Sequence, residues 1–427
     1  MKIGLQTWGS NGDIRPMIAL ADGLQRAGHR VTLCVSSIDN RCYRETCDAL
    51  AIDYCQVPER IEFDMQDFAR RSFKMNAWQW LTTLLDEVFL PYESAIFDAA
   101  CRLAADNDCL IGHHFVYPLK LAALQQRKPH FSVTYCHAAI ATDRYAPFLF
   151  PNLGKTLNRW QWELFNRLFD WAFKNKLGRL WQKQGMPPFK HVLTDLLTSQ
   201  QLDLVAVDPF FCDFRDQRQD AHYVNGFLAL PEDAEDWNPP AALNAFLAAG
   251  AKPVYMTFGS LQQAVPEWSM DLFVDAAQKA ACRAIIQSSS PRYPAGSHSN
   301  DLYFIGPHPH LPLFEQCAAV VHHGGAGTTQ TATLAGLPSI TVPFMDEQLF
   351  WGKQLQRLGL SPEPLPAKYA DADRLAARLR EILASNAMQE RARQAQQSLM
   401  SVSGVAHAVD LIEQTFETLS RHDNISR

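Results

Sequence analysis

Two rhythms of apolar residues alternate along this chain. One is short and unbroken, the mark of a buried strand. The other recurs every three to four positions, the mark of a helix with one inward face. Residues 2–7 read as a strand. Turn residues Gly9, Ser10, Asn11, Gly12 and Asp13 follow, then a helix over 16–27 that turns Ile18, Leu20, Ala21 and Leu24 inward. Gly28 stands where a helix stops, and 30–36 is the next strand. Strand, helix, strand with short connections predicts a parallel sheet with right-handed crossovers.

The alternation continues with strands at 109–112 and 130–134 around a helix at 119–126, and a strand at 202–207. It weakens over 209–240, where Asp and Pro accumulate, and restarts with strands at 253–258, 283–287, 302–305, 318–322 and 339–342. Helices are expected at 270–281, near 328–335 and at 373–384. The predicted class is α/β, with two doubly wound, Rossmann-like domains facing each other across a cleft. The expected boundaries are 1–225 for an acceptor-binding domain, 226–245 for a linker and 246–405 for a donor-binding domain. A C-terminal helix at 406–427 is expected to pack back on the first domain.

One segment breaks the pattern. Residues 155–190 carry eight Lys/Arg against two acids, and hold Trp160, Trp162, Phe165, Phe169, Trp171, Phe173 and Trp181 at helical spacing. This describes either a surface helix with its aromatics inward or a helix resting on an anionic membrane.

Composition narrows the classes. A chain of 427 residues suits two cores. A net charge of −6 argues against a nucleic-acid partner. No run is long enough to span a bilayer, and the N-terminus lacks a signal-peptide pattern. The expected location is the cytoplasm, with peripheral contact at the inner membrane surface through 155–190. Ten cysteines without a CxxC pair predict neither a disulfide framework nor a metal site.

The richest chemistry lies in Val320-Val321-His322-His323-Gly324-Gly325-Ala326-Gly327-Thr328-Thr329. A strand ends, glycines let the backbone approach a ligand, and a helix begins with free amides and a positive dipole end. That arrangement suits an anion. It is neither a Walker loop nor a GxGxxG turn, which sets a Rossmann dehydrogenase aside.

HHGGAGTT with the following AGLPSITVPFMDEQLFWGKQLQRLGL resembles the donor signature of family 1 glycosyltransferases, which have the GT-B fold. The opening GSNGDIRPMIALADGLQRAGH is similar to the branch of sterol, antibiotic and glycolipid glycosyltransferases. The resemblance implies a UDP- or TDP-linked sugar as co-substrate, with no separate cofactor and no metal. It places His322, Gly324, Gly325, Ala326, Gly327 and Thr328 on the diphosphate. It also places Ser260 of the Phe-Gly-Ser turn near the phosphates and His308 in the loop bordering the nucleobase. The sterol branch has an acidic residue and Trp after the Pro-His of that loop; this chain has Leu311-Pro312.

Asp346, Glu347 and Gln348 precede a helix and offer a carboxylate–amide pair to sugar hydroxyls. The family's Asp-Gln falls on Glu347-Gln348. Asp346 also suits a helix cap. Asp13 takes the place where many relatives carry a catalytic His, and is the candidate general base. It equally suits capping of the following helix. His113, His114 and His137 lie near strand ends and are further candidates on the acceptor side.

Aromatics between 60 and 185, among them Phe63, Phe68, Phe73, Trp78, Trp80, Phe89, Tyr92, Phe115, Tyr117, Phe148 and Phe150, suit a small apolar, aromatic or lipid-like acceptor. The expected activity is inverting hexosyl transfer to a hydroxyl. The alternatives are C-glycosylation of an aromatic ring and a non-catalytic protein that binds nucleotide sugars.

Overall fold

Seven strands pair in the order β3-β2-β1-β4-β5-β6-β7, and every pairing is parallel. They are β1 (Lys2–Gly9), β2 (Arg30–Ser37), β3 (Asp53–Gln56), β4 (Cys109–His113), β5 (His130–Thr134), β6 (Asp203–Val205) and β7 (His222–Val224). β4 and β5 are buried along their whole length, because helices cover both faces of a parallel sheet. The order reverses between β1 and β4, so their C-terminal ends flank a crevice where ligands of such sheets bind.

This computed structural model describes residues 1–72, 75–147, 150–212, 221–230, 237–259, 261, 266–288, 290–400 and 403–425. The chain divides into two units. The first is Met1–Phe63, Thr82–Leu230 and Ser403–Arg427; the second is Asp64–Leu81 and Pro231–Val402. Helix Ala241–Ala248 occupies the end of the expected linker.

The second unit holds β8 (Val254–Met256), β9 (Ala284–Gln287), β10 (Gly296–Ser297), β11 (Leu302–Ile305), β12 (Ala319–His322) and β13 (Ser339–Thr341). Their order is β10-β11-β9-β8-β12-β13, with only the two-residue β10 antiparallel. Here the order reverses between β8 and β12. The expected α/β class with two doubly wound sheets is therefore the observed one.

The first helix departs from expectation. It runs Asn11–Arg26 and carries Pro16 inside it. Ser10 caps it, with Asp13 at the third position completing a capping box. Pro16 forfeits one backbone bond, to the Gly12 carbonyl, and the capped first turn holds regardless. At the other end Gly28 has φ +88 and donates to the Gln25 carbonyl at 3.0 Å, closing the helix as its position suggested.

The last helix, Gly404–Ile425, packs in the first unit. Ala408, Val409 and Ile412 join the core formed by Leu24, Leu33 and Ile111, and His29 Nε2 lies 2.8 Å from Glu413 Oε1. Among the described residues no helix is long and apolar enough to cross a membrane.

Candidate active site

In the second unit the Gly-rich turn follows β12 at the reversal of strand order. His322 is fully buried, and its Nδ1 accepts the Gly324 amide at 3.0 Å. The ring proton therefore sits on Nε2, a buried atom without a partner. Burial, helped by neighbouring His323 and His310, pushes the His322 pKa down to about 3. His322 thus offers a neutral N–H donor rather than a cation, aimed from a fixed ring.

Gly324 has φ +90, a conformation glycine adopts without strain. Helix Ala326–Leu334 starts immediately after Gly325, and no side chain caps it. Its first internal bond runs from the Thr329 amide to the Gly325 carbonyl at 3.0 Å. The amides of Ala326, Gly327 and Thr328 precede that bond and point out of the helix end. Nothing lies within 4 Å of the place a Gly327 Cβ would take. A half-buried turn with helix-start N–H groups, a dipole end and a neutral imidazole donor has the chemistry that suits an anion.

The loop after β8 approaches the same turn. Gly259, with φ +58, donates its amide to Thr257 Oγ1 at 2.8 Å, and a Cβ there would meet His323 Cε1 at 3.4 Å. Ser260 lies outside the described residues. His308 donates from Nδ1 to the Gly306 carbonyl at 2.8 Å, which leaves Nε2 as a buried acceptor. Its ring neighbours Trp237, Tyr255 and His310. Trp237 is a member of this cluster that sequence reasoning missed, because it sits in the Asp- and Pro-rich stretch with no periodicity.

Asp346, Glu347 and Gln348 open helix Asp346–Arg357. Met345, not Asp346, is the cap residue. Burial raises the Asp346 carboxyl, opposed by Lys353 and Lys368. Gln348 is buried, and its Oε1 accepts the Phe344 amide at 2.8 Å, which fixes the side chain and keeps its NH₂ as a donor. Glu347 is exposed. The three residues therefore face different surroundings.

In the first unit Asp13 stands just beyond β1. Its Oδ2 accepts the Ser10 amide at 2.8 Å and the Ser10 hydroxyl at 3.1 Å. Both of these bonds fall on Oδ2 rather than Oδ1. Burial raises the carboxyl to about 6; the Ser10 bonds oppose this, and the negative charge of Asp39 adds to it. Capping and a second carboxylate oxygen therefore coexist in one side chain. The backbone is held as well, since the Asp13 carbonyl accepts Tyr135 Oη at 2.8 Å and Thr7 Oγ1 at 3.2 Å. Ser10 was legible as the first residue of a Ser-x-x-Asp capping pattern; Tyr135 and Asp39 come from other strands and carry no local signal.

His113 ends β4 and stacks on Tyr135, with ring centroids 5.0 Å apart. One side chain thus separates His113 from the Asp13 backbone. His114 packs at an angle to His113 at 4.4 Å, and burial lowers both pKa values. His137, after β5, is fully buried and meets Tyr145 at 5.8 Å. Of the expected acceptor-side aromatics, Phe115 is half-buried beside Trp8 and His113. Phe89 and Tyr117 are core. Phe68 packs on Trp80 in the second unit. Phe73 and Phe148 lie outside the described residues.

Residues 300–411 match the family described as erythromycin biosynthesis protein CIII-like, C-terminal domain. Over 430 residues, 98% of each chain, the sequence is 27% identical to O-mycaminosyltylonolide 6-deoxyallosyltransferase of Streptomyces fradiae. It is 28% identical over 459 aligned residues to the sterol 3-beta-glucosyltransferase of Aspergillus terreus, whose length it spans by only 31%. The fold is similar to that of the kitacinnamycin glycosyltransferase, with TM-score 0.71, 18% identity and coverage of 97% of this chain and 98% of that one. It is also similar to the glycosyltransferase VinC solved with dTDP, with TM-score 0.65, 19% identity and coverage of 98% and 100%.

Proposed function

We propose that this chain is a family 1 glycosyltransferase that moves a hexose from a UDP- or TDP-sugar to a hydroxyl of a small apolar, aromatic or lipidic acceptor, with inversion. The observation that carries the reading is the turn from His322 to Thr328. A buried, neutral imidazole N–H stands two residues before a turn whose helix-start amides have no partner within the helix, at a sheet's switch point.

The roles follow from the chemistry of each group. The acceptor oxygen attacks the anomeric carbon while the bond from that carbon to the diphosphate oxygen breaks. Charge grows on the leaving diphosphate, and fixed donors stabilise it more in the transition state than in the ground state. The amides of Ala326, Gly327 and Thr328 with His322 Nε2–H supply those donors, without a metal ion in the proposal. Gln348 NH₂ and the Glu347 carboxylate, which fall on the family's Asp-Gln pair, read sugar hydroxyls, with Asp346 beside them.

Asp13 takes the acceptor proton through Oδ1. A base with a pKa of about 6 is mostly ionised at neutral pH and stronger than an ordinary aspartate. Phe115, His113 and His114 line the acceptor side. A lipidic acceptor would bring the protein to a membrane surface.

The test is direct. Purified protein is screened by thermal shift against UDP- and TDP-hexoses, and a ligand at about 100 times its Kd adds about 2.7 kcal/mol. The bound donor is then incubated with apolar alcohols and phenols, and the glycoside is identified by mass and anomeric coupling. Absence of both a shift and nucleoside diphosphate release overturns the reading.

A further inference from the structure

Helix Lys155–Lys183 has two apolar faces. One is buried and includes Trp162, Phe165, Phe169, Phe173 and Trp181. The other is exposed: Leu157, Trp160, Leu164, Leu168 and Trp171, with Trp160 at 72% and Trp171 at 86% exposure. Steps of three, four, four and three keep these five on one line of the helix, opposite the buried face. At 1.5 Å per residue the line runs about 21 Å. Sequence alone offered inward aromatics or a membrane face; the helix turns one set of aromatics inward and leaves a second apolar line exposed.

Charge surrounds the exposed line. The helix holds seven Lys/Arg and two acids, in a chain whose net charge is −6. Arg159, Arg167, Arg179 and Lys183 are exposed. Glu163 is paired with Arg167 at 3.0 Å, and two acids outside the helix pair with it, Asp143 with Arg159 at 2.9 Å and Asp86 with Lys176 at 2.7 Å, which leaves Arg179 and Lys183 among the exposed cations of the fringe. Asp170 is turned to the protein, where it meets His191 Nδ1 at 2.7 Å and the Val192 amide at 2.8 Å. The fringe therefore presents net positive charge.

A contiguous exposed apolar line marks an interaction surface. Paired Trp side chains with a cationic rim match the chemistry of a bilayer interface, where indole sits among headgroups and Lys/Arg meet lipid phosphates. A symmetric contact with a second copy would set two positive helices against each other. An anionic surface has the opposite sign.

We propose that this helix docks the first unit on anionic membrane, with Trp160, Leu164, Leu168 and Trp171 in the headgroup–acyl boundary and Arg179 and Lys183 on lipid phosphates. The inference goes beyond the transferase reading and stands on different residues.

The experiment is co-sedimentation of the full chain with vesicles of phosphatidylcholine alone and of phosphatidylcholine with phosphatidylglycerol in equal parts. Binding is expected only to the mixed vesicles. It should weaken as salt rises and be accompanied by a blue shift of Trp emission. The double variant W160S/W171S should lose about ten-fold or more in vesicle affinity, and R179E/K183E should lose binding while keeping both indoles. Both variants should keep the wild-type far-UV spectrum and thermal midpoint, which separates lost docking from lost fold. Three results overturn the proposal: no binding by the wild type, equal binding by W160S/W171S, or a concentration-dependent dimer that this variant abolishes while vesicles bind neither protein. Donor binding, read separately by thermal shift, reports on the transferase reading whatever the vesicles show.

Discussion

The backbone of Gly324 faces the carbonyl oxygen of Gln348 so closely that a Cβ on Gly324 would lie 2.7 Å from it. The turn after β12 and helix Asp346–Arg357 are thus fitted to each other through main chain, which cannot step aside as a side chain can. Gly324 also has φ +90. A Gly324→Ala variant should lose about 1–3 kcal/mol of stability. It should also weaken nucleotide-sugar binding beyond detection by thermal shift. Wild-type binding would show that the turn adapts and that its amides are not held in place by this contact.

Asp13 should set the acid limb of the rate profile. Its carboxyl is raised to about 6, and only the ionised form accepts a proton. Turnover should fall about ten-fold per pH unit below that value. Asp13→Asn should reduce turnover by about 100-fold or more while donor affinity stays within about two-fold. Stability gives a second reading of the same group. Because the folded pKa lies above the unfolded one, its favourable contribution is complete below about pH 4 and is lost as pH rises through about 6. Asp13→Asn keeps an oxygen for the Ser10 amide and carries no charge. It should therefore raise the thermal midpoint at pH 8 and leave it unchanged at pH 4. A rate profile without a limb near 6 and near-normal turnover would remove Asp13 from the mechanism.

His322 should act through its N–H and not through charge. Burial holds it neutral, and the Gly324 amide on Nδ1 leaves the proton on Nε2. His322→Phe removes the donor and should weaken UDP or TDP binding by about 10- to 100-fold, the range for a hydrogen bond to a charged acceptor. His322→Gln restores an N–H and should recover part of that loss. Equal affinity for all three, measured by calorimetry, would take His322 off the diphosphate.

Much of this architecture was written in local patterns. The β12 run, its glycines and the two threonines announced a strand, a turn and a helix start within one stretch of chain. The β1 run and the following turn did the same for Asp13. Pro16 misled because proline usually marks a first turn; here the Ser10–Asp13 box starts the helix at Asn11, five residues earlier. β3 and β7 are four and three residues long and only half-buried, too short for alternation to register. The raised Asp13 carboxyl comes from burial, with Asp39 adding to it, and its fixed backbone depends on Tyr135, more than a hundred residues away. The Trp237–His308 contact likewise joins segments with no shared pattern. Local spacing names the turn and its residues; protonation and exposure are set by chain segments that meet only in the fold.

Gly23 offers a test of the packing of the last helix in the first unit. A glycine inside a helix ordinarily costs about 1 kcal/mol relative to alanine, so Gly23→Ala would stabilise an isolated helix. In the fold a Cβ there would lie 2.3 Å from Val405 Cγ1, on the helix Gly404–Ile425. Valine is branched at Cβ and has few rotamers to retreat to. The expected sign is therefore reversed, with a loss of about 1–3 kcal/mol from overpacking, read by urea denaturation. Val405→Ala removes the opposing methyl groups, so the double variant should be more stable than Gly23→Ala alone, with a coupling of about 0.5–3 kcal/mol. Gly23→Ala more stable than wild type would mean that the C-terminal helix does not sit against residues 11–26 in solution. Removal of residues 404–427 would then leave the first unit's stability unchanged instead of exposing Leu24 and its neighbours.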